Sequence, residues 1–500
     1  MVVWRFGFDY TDTPCMKIMK GTFNPRTTPD ADREKFFFSS KWPNIAAPGS
    51  IQFTDWVGNT SQVVYTPSGS NDSNFQRKFV SEGGNINYHF LRNSLFSGLR
   101  YNMPLIAVAW KSRSTQRFTQ SRVQDYQRNP SNPNGAYGGY YVGGMGEELG
   151  WMRNMRASTY LTTPVPYGTS QVIWNNASGQ LDNNVNKRVI VFNLPGDDTP
   201  LDGPALPPPS SSGKMLGQIT SAQCRVAKPG YDVRTATPAQ LAFDANNRAV
   251  RCIAARDVAV PAGASAVDLG VDLPAEVVAL VHFYEGSTIV YPSSPKDEDF
   301  GADYWFSGTT INFNANSSCR ARFIVFAFDN TPPTSGSNRV IRKFTEGSVN
   351  HLQLLRPGAS ANPSFADIVL DTRWPVVQIL KEDYISVGNG DLQHQISYDA
   401  TGFFPFIIYC THHGSGSERK VLTFSWDERV RPPFTKIVRQ TGGNHGGDST
   451  RVAYNASGAT FYTYKGRPVS SQWSNNDGWQ FDNDPSPIIG LRYYVLGIPV

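Results

Sequence analysis

No stretch of about eighteen consecutive apolar residues occurs anywhere in the 500-residue chain, so a membrane-spanning helix is not expected. Cysteine is scarce and odd in number. The five thiols, at positions 15, 224, 252, 319 and 410, show no Cys-x-x-Cys spacing, which argues against a disulfide framework or a cysteine zinc site and predicts buried free thiols. Charge is thin as well, at 17% of residues, and its 46 basic and 41 acidic side chains leave a net +5 with no block of one sign. An electrostatic footprint for nucleic acid is therefore not expected. The opening MVVWRFGFDY lacks a basic leader, a long apolar core and a small-residue cleavage site, so the chain is expected to be made and at first kept in a cytoplasm.

What is plentiful is turn chemistry and aromatic surface: 44 Gly, 35 Pro and 13% Phe, Trp and Tyr. Few windows carry a sustained 3.6-residue apolar period, whereas short runs such as LIAVAW, RVIVFNL, VVALVHFY, ARFIVFAFD and FFPFIIYC are bounded by Gly, Pro, Asn or Asp. That pattern predicts an all-β protein.

The spacing suggests an internal repeat. Lys228-Pro229-Gly230 and Arg356-Pro357-Gly358 both read as a turn closing a strand. Lys228 lies 16 positions before Asp244 and Arg356 lies 15 before Asp371, after which Cys252 to Phe283 and Ile379 to Cys410 both span 31. A gapless alignment thus sets Cys252 on Ile379 and Phe283 on Cys410, all expected to face inward. A looser first copy starts at Lys20-Gly21. Proline-containing linkers, TPLDGPALPPPSSSG and NTPPTSGSN, mark the boundaries. Three tandem β-sandwich-like modules with long loop insertions follow, at residues 1–200 (insertion at about 111–187), 214–332 and 340–500. Units of this size are expected to fold by themselves.

The segments MKIMKGTFNPRTT and CRVAKPGYDVRTATPAQLAFD, and the following VPAGASAVDLGVDLPAEVVALVHFY, resemble a module of tail and tail-tip structural proteins of tailed bacteriophages. The resemblance is strongest over the second unit, about a quarter of the chain; Pro-Gly is lost at Gly21 and the Thr-rich turn after Gly358. It carries no enzyme motif.

Local chemistry points the same way. His412-His413 and His445 read as polar loop residues, because adjacent histidines on a strand face opposite sides and cannot share one ion. The paired glutamates of GEELG at 146–150 diverge for the same reason, and no Gly-x-Ser-x-Gly occurs. Asp477, Asp482 and Asp484 around Trp479 form either an ordinary turn or a loop for a glycan or an ion, without EF-hand spacing. In the Gly-Tyr-rich insertion, Tyr137, Tyr140, Tyr141 and Trp151 are candidate interface residues, since Tyr is enriched in contact surfaces. No catalytic, cofactor or metal residue is expected.

The leading expectation is a non-enzymatic virion component of the tail or tail tip, contacting other tail proteins and copies of itself as a trimer or hexamer. The alternatives are an adhesin binding a host cell-surface glycan and, more weakly, a depolymerase spike. The second unit, the least decorated, is expected to be a spacer.

Overall fold

The computed structural model describes residues 3–41, 209–220, 223–236, 240–244, 251–274, 276–291, 302–315, 317–328, 340–374, 377–388, 392–413, 448–465 and 488–500. Elsewhere it describes only the backbone of separate strands, and some strand side chains inside these ranges, Cys410 among them, lie outside the description. The protein is all-β, with short 3-10 turns at Arg33–Lys35 and Phe365–Asp367. No helix among the described residues is long and apolar enough to cross a membrane.

Three stretches of chain each build a small antiparallel meander: Val3–Phe8, Pro14–Met19 and Phe36–Ser39; Gly217–Ile219, Cys224–Ala227 and Leu241–Asp244; Ile341–Glu346, Val349–Leu355 and Ile368–Asp371. In all three the middle strand shifts register near its end, at Ile18/Met19, Val226/Ala227 and Leu354/Leu355. The basic residue that follows then donates its backbone N–H across the sheet, Lys20 to Lys35 and Lys228 to Gln240 at 2.9 Å, and Arg356 to Asp367 at 2.7 Å. Gly230 and Gly358 sit at φ +89° and +86° in the turns that follow, a conformation open to Gly and costly for other residues.

A three-stranded sheet has one apolar face and too little area to cover it alone. Here the three faces cover one another. Met16 and Ile18 of the first sheet, Cys224 and Val226 of the second, and Leu352 and Leu354 of the third fill a common core, joined by Phe38, Ala242 and Leu370. The residue between those two inward positions turns away and finds an acid or amide partner in each sheet. Lys17 meets Asp9 at 2.9 Å and Asp30 at 2.6 Å, Arg225 meets Asp244 at 3.1 Å, and Gln353 donates to Asp371 at 2.5 Å.

The larger sheets also share an order. Arg251–Val260, Cys319–Phe328 and Glu276–Tyr284 pair as first, last and middle, and so do Gln378–Ser386, Ile488–Pro499 and Phe403–His413. Each first strand bulges near its start, at Cys252/Ala254 and at Ile379/Lys381. Facing them lie Ala302–Ser307, Thr310–Ala315 and Gly263–Asp268 in one case, and Asp448–Tyr454, Gly458–Lys465 and Leu392–Ser397 in the other.

The alignment read from the sequence is half corrected by this register. Cys252 and Ile379 are both buried, pair with Phe326 and Leu496, and belong to one core. Phe283 meets Phe313 of the facing sheet, but the positions of the third segment that meet its facing sheet are Tyr409, against Phe461, and Thr411, against Thr450. Phe283 therefore corresponds to Thr411. Cys410 takes the register position of His282, each opposite an arginine, Arg492 and Arg322. One residue absorbed in the preceding loops shifts the strand by one position, which exchanges its faces.

The segments also exchange strands. Phe118–Thr119 adds to the edge of Ala302–Ser307, Ile289–Tyr291 adds to Asp448–Tyr454, and Lys436–Gln440 pairs in parallel with Arg122–Gln127. The first segment thus lends a strand to the second, the second to the third, and the third to the first. The three segments share sheets as well as one core. The 111–187 insertion, expected as loop, also carries the strands Phe118–Thr119, Arg122–Gln127 and Gly139–Gly143.

Candidate functional site at the seams between segments

The ring of exchange leaves seams where one segment meets the next, and arginines cross them. Arg322 leaves the Cys319–Phe328 strand, donates to the Pro405 carbonyl from Nε at 2.9 Å and Nη2 at 2.5 Å, and stacks 3.5 Å from the Phe404 ring centre. Its remaining nitrogen, Nη1, donates to Asp257 at 2.9 Å. Asp257 also accepts from Arg320 and from the Tyr284 hydroxyl at 2.8 Å, so one carboxylate balances two guanidinium groups. Burial raises the Tyr284 pKa. Arg251 lies 3.5 Å from the Phe365 ring centre and donates to the Phe365 carbonyl, and Arg33 donates to the Ile379 carbonyl at 2.7 Å. Each is a charge-assisted bond ending on a backbone oxygen of another segment.

His282 occupies the centre of the second seam. It is 1% exposed and stacks between Tyr291 at 3.9 Å and Phe406 at 4.1 Å, with Nδ1 2.8 Å from the Tyr454 hydroxyl. Desolvation first, and the positive charge of Arg322 second, push its pKa well below the usual imidazole value. It is therefore neutral at pH 7. Two segments supply this stack, Tyr291 from the strand that the second lends, Tyr454 and Phe406 from the third. Where the first two segments meet, the Phe6 ring covers Gly217 so closely that a Cβ there would lie 2.2 Å from Cζ.

The histidine pair singled out in the sequence is not loop. His412 is a buried strand residue whose Nδ1 lies 2.7 Å from the Tyr384 hydroxyl, since Phe403–His413 runs on through both histidines. The side chains of His413 and His445 lie outside the described residues. So do Tyr137, Trp151, Asp477, Asp484 and the glutamates at 147 and 148. Tyr140 and Tyr141 belong to the strand Gly139–Gly143, and Trp479 and Asp482 to Gly478–Asp482, with their side chains likewise outside the description.

Cys15, Cys224, Cys252 and Cys319 are buried, and none of them is in a disulfide. Burial pushes the first two thiols up to about 11 and Cys252 to about 12, so they stay protonated at neutral pH. Among the described residues no three His, Cys, Asp or Glu side chains are grouped to hold a metal ion.

Sequence reasoning passed over His282, Arg322, Arg251 and Arg33. A signal existed for two of them: a lone His inside EVVALVHFY and an Arg inside RARFIVFAF are polar residues within runs otherwise fit for a core. Compared with known proteins, the chain matches no family model, no curated protein and no solved structure.

Proposed function

We propose that this chain is a non-enzymatic structural component of a tailed-bacteriophage virion, placed in the tail or tail tip, with three tandem β-sandwich modules as its working parts. The observation that supports this reading is the circular exchange of strands around one three-sheet core. A chain arranged in this way is braced against rotation of one segment on another, and Arg33, Arg251 and Arg322 cross the seams between segments. Such a block suits a symmetric particle, with copies set around a three-fold or six-fold axis and contacting neighbouring tail proteins. It would be made in the host cytoplasm and retained in the finished particle.

The test is mass spectrometry of gradient-purified virions, followed by labelling of the chain in intact particles with a gold-conjugated antibody. The reading requires a fixed stoichiometry in the particle and label confined to the tail. Recovery of the chain from the lysate with none in purified particles would overturn it.

A further inference from the structure

A cleft of about 590 Å³ opens where the first and third small sheets lean against the larger sheets. That volume falls in the range of about 300–1,000 Å³ usual for small-molecule sites, and it is far larger than an inorganic anion needs. Lys20 and Phe37 line it from the first segment, Arg256 from the central one, and Glu346, Arg373 and Trp374 from the third. The charges are not alike in circumstance. Arg373 is already held by Asp371 at 2.7 Å and Glu346 at 3.3 Å.

Lys20 and Arg256 have no carboxylate within ion-pair distance among the described residues. Lys20 is part-buried, its ammonium 6.0 Å from the Phe37 ring centre, and the loss of water around it lowers its pKa, outweighing the opposing charge of Glu34. A cation that has given up part of its hydration, with no carboxylate in contact among the described residues, is a ready place for a ligand anion. Phe37 beside it adds an aromatic surface, and Val271 and Pro499 add apolar wall.

We propose that this cleft binds an acidic saccharide, with its carboxylate or sulfate held by Lys20 and Arg256 and an apolar sugar face laid on Phe37. The assignment concerns ligand binding by the folded chain and stands apart from the assembly role, so failure of one leaves the other untouched.

The test is calorimetric titration of the full chain with a hyaluronan hexasaccharide and a heparin-derived tetrasaccharide. Neutral chitohexaose, a chitosan hexamer and inorganic sulfate serve as comparators. Saturable binding of an acidic probe is expected, weakened by salt and reduced about tenfold or more in the double variant Lys20→Gln/Arg256→Gln. Val271→Trp, which fills the cleft without touching a charge, is expected to weaken the same probe. Thermal melting of each variant reports that it is folded. No binding of either acidic probe, equal binding by both variants, or preference for chitosan would overturn the site. Competition by sulfate at the same concentration as the saccharide would overturn the saccharide assignment and leave an anion site only.

Discussion

Acidification should open the seam around His282 before it affects the rest of the molecule. The imidazole is neutral and almost fully buried between Tyr291, Phe406 and Tyr454, with Arg322 as the charged neighbour opposing its protonation. Once the seam opens, the same group titrates near its usual value of about 6.5. The open state therefore binds the proton more readily. Stability is fully present above about pH 6.5 and declines as pH falls below it, until the depressed folded pKa is reached. The free energy of opening should therefore fall steadily with pH below about 6.5, at a limiting slope of about 1.4 kcal/mol per pH unit for as long as the pH stays above the depressed folded pKa.

Hydrogen exchange read by mass spectrometry over 276–291 and 448–465, corrected for intrinsic rates, measures this quantity without requiring the whole chain to unfold in two states. His282→Gln stays neutral at every pH and can still hydrogen-bond the Tyr454 hydroxyl, but it loses two ring contacts worth about 0.5–1.5 kcal/mol each. It should be weaker than the parent at pH 7.5 and flat from there to pH 4.5. His394, whose pKa burial also lowers, contributes equally to both proteins. Parallel pH profiles for parent and variant would refute the assignment of the slope to His282.

Leu354→Ala should cost about 2–5 kcal/mol, and because its core is shared, exchange should quicken in all three small sheets; loss of protection in Ile341–Asp371 alone would show the core is not common. Asp257→Asn leaves Arg320 and the buried Arg322 without their carboxylate, a loss bounded above by the roughly 3–5 kcal/mol of a fully buried broken pair; adding Arg322→Met should restore part of it in thermal melting. In Gly490→Ala the new Cβ would lie 1.8 Å from the Tyr384 hydroxyl, forcing Tyr384 off His412 at a cost of about 1–3 kcal/mol, which Tyr384→Ala in the same chain should partly relieve.

Strand identity was legible because it is encoded locally. EVVALVHFY, RFIVFAF and FFPFIIYC carry the β-branched and aromatic side chains that suit a pleated surface, and the Pro-Gly turns at 229–230 and 357–358 carry a residue free to adopt positive φ. Both signals lie within a few residues of the element they specify. The correspondence of Cys252 with Ile379 was legible for a related reason, since it follows from counting along continuous strands. The match of Phe283 to Thr411 was not, because a single residue taken up in a loop leaves no mark on composition and yet reverses every face beyond it.

Local sequence by itself determined that the chain is a series of short strands and turns, with four buried thiols and no long apolar helix among the described residues. Tertiary structure alone decided which edge each strand would join, because backbone N–H and C=O groups are the same on every edge and carry no address. Ile289–Tyr291 pairs with Asp448–Tyr454 of the next segment, and this brings Tyr291 over His282 of its own segment beside Tyr454 and Phe406 of the next. The same holds for Arg322, whose place against Pro405 and Phe404 exists only once two distant strands have been packed together.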